Sequence, residues 1–238
     1  MTNFRTMCKY IIMALLAFGV IGCTSITNTK PEQTPTVSKR SKTYLALGDS
    51  YTIGTAVAFP DNFPNQLVDS IFSVDSTEVS VKIVAQNGWR TDDLQRGINS
   101  ADLDSVYDLV SLLIGVNNQY QGLPIEDFEQ DLRLLLDTAV KYAGYDKRHV
   151  FVISIPNYGF TPFGADKKEE TTADLEKFNG LSRFMCEEYG INFYNITDIS
   201  LEAETNASYR ANDDLHPSAT QYAAWVSSFL DSVVVKLE

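Results

Sequence analysis

Only two histidines occur in the 238 residues, so a general base has few places to sit. His149 opens the apolar run Val150–Ile155 and reads as an edge or surface side chain. His216 stands in the polar segment Asp213-Asp214-Leu215-His216-Pro217, where Pro217 biases its backbone toward an extended conformation. An imidazole can take the proton of a weak hydroxyl nucleophile when a carboxylate behind it fixes its tautomer. Asp213, three residues before His216, can reach the ring through a short Asx-type turn, whereas Asp214 is placed for a solvated or turn-stabilising role. Asp-x-x-His alone is a weak pattern. It gains weight from Leu47-Gly48-Asp49-Ser50-Tyr51, which directly follows the first β-rich run and offers the hydroxyl of Ser50 as the nucleophile.

Attack of a hydroxyl on an ester carbonyl puts negative charge on oxygen, and neutral donors must already point at that place. Gly88 can present a backbone N–H unobstructed by a Cβ, Asn117 can present a side-chain amide, and the Ser50 N–H makes a third donor. Singly, Gly88 reads as a turn glycine and Asn117 as a loop cap. Together with Ser50 and His216, in this order along the chain, they read as an oxyanion hole.

Five β-rich runs must hold these loops in place: Thr43–Leu47, Val79–Val84, Leu109–Ile114, Val150–Ile155 and Ile191–Tyr194. Helical patterns at Pro64–Phe72, Asp92–Ile98, Ile125–Tyr142, Thr172–Tyr189 and Ala219–Val234 alternate with them. Such alternation predicts an α/β domain with a mostly parallel sheet covered on both faces. The third and fourth runs are nearly continuous in apolar residues, as strands buried on both sides should be. In Ile125–Tyr142, Phe128, Leu132, Leu135, Leu136 and Ala139 recur at steps of three and four, and Gly144 is placed to cap the helix. In open parallel sheets the reactive groups gather just beyond the carboxyl ends of the strands, where Ser50, Gly88 and Asn117 all fall.

Arg5 and Lys9 precede an apolar stretch, Tyr10–Ile21, too short for a permanent span, and Gly22-Cys23 follows. This is the pattern of a secretory signal over residues 1–22. Thr24–Lys42 is polar with almost no large apolar side chain and reads as a disordered tether, which leaves residues 43–238 as one domain. The net charge of −12 and the lack of a Lys/Arg cluster with interleaved aromatics argue against nucleic-acid binding. Cys186 is the one cysteine of the domain, which rules out an internal disulfide and suits a buried core thiol. No aspartate group has the dense oxygen spacing of a calcium loop, and no metal or other cofactor is expected.

Gly48-Asp49-Ser50, Asn87-Gly88, Gly115-Val116-Asn117 and Asp213-Asp214-Leu215-His216 resemble, in this order, the blocks of the SGNH or GDSL-type hydrolases. The resemblance runs from Tyr44 to about Trp225. It implies a three-layer, flavodoxin-like α/β/α fold with strand order 2-1-3-4-5, a Ser50–His216–Asp213 triad, a serine-ester intermediate and no metal. The chain departs from the commonest pattern at Tyr51, where Leu is usual, and at Asn118, where Asp is usual, which leaves the role of Asn118 open. Gly-Val-Asn-Asn-Gln-Tyr and Ser-Ile-Pro-Asn-Tyr-Gly resemble a branch loosely described as lysophospholipase-like esterases. Val20-Ile21-Gly22-Cys23 resembles the bacterial lipobox, which implies lipid on Cys23, export, and a membrane partner through that lipid on the periplasmic or cell-surface face.

The partner expected at the site itself is a small ester, whether short-chain, on an acetylated carbohydrate, or a lysolipid. Phe59, Phe63, Trp89, Tyr120, Tyr158 and Phe160 are candidates for its walls, with core and rim packing as the alternative for each. An acyltransferase or thioesterase would use the same residues. A cell-surface binding module on an inactive hydrolase fold is the alternative from another class, and the presence of both Ser50 and His216 weighs against it. Oligomeric state leaves no trace in the sequence.

Overall fold

The structure, a computed structural model, describes residues 41–238. The expected signal segment 1–22, the expected lipid-attachment residue Cys23 and the expected tether up to residue 40 lie outside the described residues. Five strands, β1 (Ser41–Gly48), β2 (Glu78–Ala85), β3 (Leu109–Leu113), β4 (Val150–Ile153) and β5 (Asn192–Tyr194), form one parallel sheet in the order 2-1-3-4-5. The eight helices of the described residues are α1 (Ser50–Ile53), α2 (Phe63–Asp75), α3 (Thr91–Ser100), α4 (Val116–Tyr120), α5 (Ile125–Tyr142), α6 (Lys168–Tyr189), α7 (Thr197–Leu201) and α8 (Ala219–Val234). Helices α2 and α8 pack on each other as one layer, while α3, α5 and α6 form the other. The expected three-layer α/β/α arrangement is thus present.

Strands β3 and β4 are buried at every residue, in keeping with their apolar runs. The one polar residue of β3, Ser111, is satisfied by a 2.7 Å hydrogen bond with the Tyr44 hydroxyl of β1. That small side chain leaves room for the Tyr44 ring to stack with Phe151 of β4, and Phe151 in turn meets Tyr194 and Phe229. Helix α5 has the expected bounds. It ends in a Schellman arrangement, with Gly144 N–H donating to the Lys141 carbonyl and Tyr145 N–H to that of Val140. Cys186 is buried in α6, and desolvation followed by the charge of Glu187 pushes its thiol up to about 12.

Three differences from the sequence-based expectation have local causes. Strand β1 starts at Ser41 rather than Thr43, because Lys42 pairs with Asp108 and the Thr43 N–H donates to the same carboxylate. Helix α6 begins four residues early, where Glu169 and Glu170 in its first turn complement the positive end of the helix. Helices α1, α4 and α7 have four or five residues each, too few to display an apolar period, and owe their form to caps and neighbours.

The end of β1 is the tightest place in the sheet. A Cβ on Gly48 would stand 2.4 Å from the Leu113 carbonyl oxygen of β3 and closer still to Thr52 Oγ1 of α1. Only a residue without a side chain lets the chain turn from β1 into α1 so close to β3. Gly48→Ala should therefore destabilise the domain by about 1–3 kcal/mol, the usual cost of overpacking. Urea unfolding would show this as a lower midpoint at an unchanged slope, and an unchanged midpoint would contradict it.

Candidate active site

Ser50 is the first residue of α1, so the helix provides no acceptor for its N–H. Asp49 caps that helix, its Oδ1 accepting the Tyr51 N–H at 3.0 Å. Gly54 ends it in the left-handed conformation. The serine is nearly buried and lines a cavity of about 130 Å³ together with Asn117, Tyr120, Tyr158, Phe163 and His216.

The carboxylate–imidazole pair expected at the other end of the chain is formed. His216 Nδ1 lies 2.6 Å from Asp213 Oδ2, and Asp213 Oδ1 accepts the backbone N–H groups of His216 at 2.9 Å and Leu215 at 3.1 Å. Burial acts to raise the Asp213 carboxyl, but these bonds outweigh it and hold the group below the ordinary carboxylate range. An ionised Asp213 requires the hydrogen on Nδ1, which leaves the Nε2 lone pair free as a proton acceptor. Asp214 serves the turn. It takes φ +57°, its N–H donates to the Ala211 carbonyl, and its own carbonyl accepts the Phe163 N–H. The Tyr51 ring, next to Ser50 in the chain, meets His216 edge-on at 5.6 Å.

The loop after β2 closes with the Trp89 N–H donating to the Gln86 carbonyl, and Gly88 takes φ +80° at the position of that turn where glycine is favoured. Asn117, the second residue of α4, donates one amide hydrogen to the Trp89 carbonyl at 2.9 Å. Its second amide hydrogen remains for the cavity, which Asn117 lines. Asn87 lines the cavity as well, and Gly88 follows it directly in the chain.

The role left open for Asn118 is resolved by its contacts. Its Oδ1 accepts the Thr91 N–H at 3.1 Å, and its Nδ2 donates to Thr91 Oγ1 at 2.8 Å. Thr91 in turn gives its hydroxyl proton to Asp131 at 2.7 Å. An aspartate could only accept at this position; the amide fits because Asp131 already takes the threonine proton. Asn117 and Asn118 therefore staple α4 to the loop that carries Gly88.

The expected walls divide. Tyr120 and Tyr158 line the cavity, with ring centroids 6.1 Å apart, and the Tyr158 hydroxyl donates to Gln119. Trp89 and Phe160 do not line it, and here the expectation needs correcting. The Trp89 ring lies over Gly97 of α3, where a Cβ would come within 2.2 Å of it. Phe160 faces a different cavity, with Lys168 Nζ 4.0 Å from its ring centroid. Phe63 is core, packed against Tyr222, and Phe59 is exposed outside the cavity. Phe163, absent from the residues expected there, supplies the third wall and meets both tyrosine rings. The density of aromatics in Tyr158–Phe163, just after β4, is the signal that points to it.

Behind the serine lies an unexpected charge problem. The Asp49 carboxyl is fully buried, and its Oδ2 has no hydrogen-bond partner. Desolvation pushes this group up to about 7, although the Tyr51 N–H acts in the opposite direction. Because the folded value exceeds the unfolded one, the native state holds an extra proton between about pH 4 and pH 7. The resulting stability is complete below that window and is lost as pH rises through it. Asp49→Asn keeps the capping acceptor and removes the ionisation. Relative to this variant, the wild type should lose a few kcal/mol, in order of magnitude, between pH 5 and pH 8. Thermal melts of both proteins across that range test this, and parallel curves would contradict it.

Similarity to known proteins agrees with this geometry. The GDSL-like lipase/acylhydrolase family model matches residues 46–224. No curated protein matches the sequence. Among solved structures, a lipase/acylhydrolase from Enterococcus faecalis superposes with a TM-score of 0.66 at 17% identity, covering 83% of this chain and 97% of its own. An acetyl xylan esterase variant from Geobacillus stearothermophilus gives 0.64 at 19%, covering 82% and 95%. A putative GDSL-like lipase from Parabacteroides merdae gives 0.65 at 18%, covering 82% and 96%. At these identities the superpositions speak for the fold, while the family match spans most of the chain and both ends of the site. The chain belongs to the GDSL-like lipase/acylhydrolase family and is an esterase.

Proposed function

We propose that the protein hydrolyses esters of short acyl groups through Ser50, His216 and Asp213, with an acyl-enzyme intermediate on Ser50. The observation that carries this reading is the shared cavity of Ser50, Asn117 and His216, with the Asp213–His216 bond already in place. Ser50 Oγ attacks the ester carbonyl carbon while His216 Nε2 takes its proton. The tetrahedral oxyanion lies toward the N–H groups of Ser50 and Gly88 and the free amide hydrogen of Asn117. His216 then returns the proton to the departing alkoxide. Water, deprotonated by the same nitrogen, releases the acid from Ser50. Among the described residues no hydrogen bond joins Ser50 to His216. Catalytic bonds of this kind commonly tighten only when substrate binds.

The short acyl preference rests on size. Pockets for drug-sized ligands measure roughly 300–1,000 Å³, whereas this one holds about 130 Å³ and is walled by three rings. An acetyl-sized group fits such a space; a long chain would have to lie outside it. Acetylated carbohydrate is compatible with this limit, and one structural neighbour is an acetyl xylan esterase. Lysolipid is less compatible with it.

Turnover of aryl esters from acetate to decanoate tests the assignment. The rate should be highest for the shortest chains and should vanish in Ser50→Ala at unchanged folding. Asn117→Ala should lower kcat by about 100-fold to 1,000-fold, the usual loss for one oxyanion donor. Retained turnover in Ser50→Ala, or a rate that climbs with chain length, would refute the proposal. Product analysis with added alcohols would reveal an acyltransferase, and thioester substrates a thioesterase.

For the amino-terminal residues the proposal is export and lipid attachment at Cys23, supported by the basic, apolar and Gly-Cys succession. Expressed in a bacterial host, the full chain should fractionate with membranes and Cys23→Ser should not. Equal partition of the two would count against the anchor.

A further inference from the structure

A second cavity of the described domain is larger than the catalytic one. It measures about 390 Å³, within the range of ligand sites, and lies between α6 and the segment from β5 into α7. One short turn separates the two. Tyr158 of that turn lines the catalytic cavity, while its neighbours Asn157 and Phe160 line the larger one.

Part of the wall of the larger cavity is fixed by bonds that leave little capacity for a ligand. Asn179 clamps the Ile155 backbone, accepting its N–H at 2.7 Å and donating to its carbonyl at 2.9 Å. Asn157 accepts the Gly159 N–H and donates to Thr172. Other lining groups are free to serve. Arg183 has no ion-pair partner among the described residues, and Glu176 and Asp198 also face the space without one. Phe193 and Leu175 add apolar surface, and the Phe160 ring has Lys168 on one side.

Gly180 is the telling residue. It sits inside the 22-residue helix α6, where glycine is among the worst choices for stability. Close packing does not require it, since a Cβ there would meet nothing within 4 Å. What its missing side chain does is leave the helix side of the cavity open.

We propose that this cavity binds a neutral, hydroxyl-rich ligand, a glycosyl unit, as a site separate from the catalytic pocket. Carboxylates that accept and a guanidinium that donates match the alternating needs of neighbouring hydroxyls, and the apolar side chains match the C–H face of a sugar ring. Two carboxylates against one guanidinium disfavour phosphate and other anions. The site does not depend on whether the ester cleaved at Ser50 is itself carried by a sugar.

The test uses the full domain with and without Gly180→Leu, a change that adds a good helix former and fills the space. Ligand-observed NMR with xylotetraose, cellotetraose, chitotetraose and maltotetraose, and with inorganic phosphate for contrast, reads binding directly. At least one saccharide should bind at millimolar concentration or below. Gly180→Leu should weaken it tenfold or more, and Arg183→Ala should weaken it too. Gly180→Leu should also melt no lower than wild type and hydrolyse aryl acetate at the wild-type rate, which separates this site from the catalytic reading. Binding of phosphate alone, binding of none of the saccharides, or equal binding by Gly180→Leu would each overturn the proposal.

Discussion

The site depends first on how closely β1, β3 and α1 approach at the end of β1. Gly48 stands against the Leu113 carbonyl of β3 and against Thr52 of α1. The chain then turns immediately into a four-residue helix, which cannot sustain itself and is held by the Asp49 cap and the Gly54 terminus. Ser50 is thus placed by the packing of the central strand. The same closeness buries Asp49 completely, with one oxygen unpartnered. A cap that water would ordinarily solvate here costs the fold stability above its raised pKa, and Ser50 is held in spite of that loss.

The imidazole shares a cavity with the serine, and aromatic packing sets its position. The Asp213–His216 turn is closed by its own hydrogen bonds and is tied to the segment after β4 by the Phe163 N–H on the Asp214 carbonyl. Its position depends on more distant packing. Pro217 and the Ser218 cap lead directly into α8, whose Tyr222 and Trp225 pack edge-on. Trp225 meets Tyr51, Tyr222 meets Phe63 of α2, and Tyr51 meets His216. Each such contact contributes about 0.5–1.5 kcal/mol beyond area burial, and together they fix α8 relative to α1. Tyr51, which departs from the usual Leu, is part of this chain of rings. Asn117, Asn118, Thr91 and Asp131 tie α4 to the loop after β2 by hydrogen bonds. His216 is thus held by packing, and Asn117 by a polar network.

The segment Tyr158–Phe163 gives the site its size. Tyr158 and Phe163 face the serine with Tyr120, while Phe160 turns away to the larger cavity. A three-residue 3-10 turn, capped by Asn157, sends successive aromatics to opposite sides. The small volume beside Ser50 and the separate polar cavity both border that one turn.

Much of this is legible in the order of residues alone. Apolar runs mark β3 and β4, periodicity marks α5 to the residue, and the scarcity of histidine singles out His216. Asp213 follows from a spacing that a local turn closes, which depends only on short-range geometry. The α/β class is likewise a property of the pattern, because alternating strands and helices have few ways to bury their apolar faces. What lies beyond the sequence is everything set by contacts between distant segments. The tight approach that buries Asp49, the amide logic of Asn118 and the choice of Phe163 over Phe160 each depend on neighbours remote in the chain. Residue type and spacing determine which groups can do the chemistry. Only the closed sheet decides which solvent they lose and which space they share, because burial and shape belong to the packed whole.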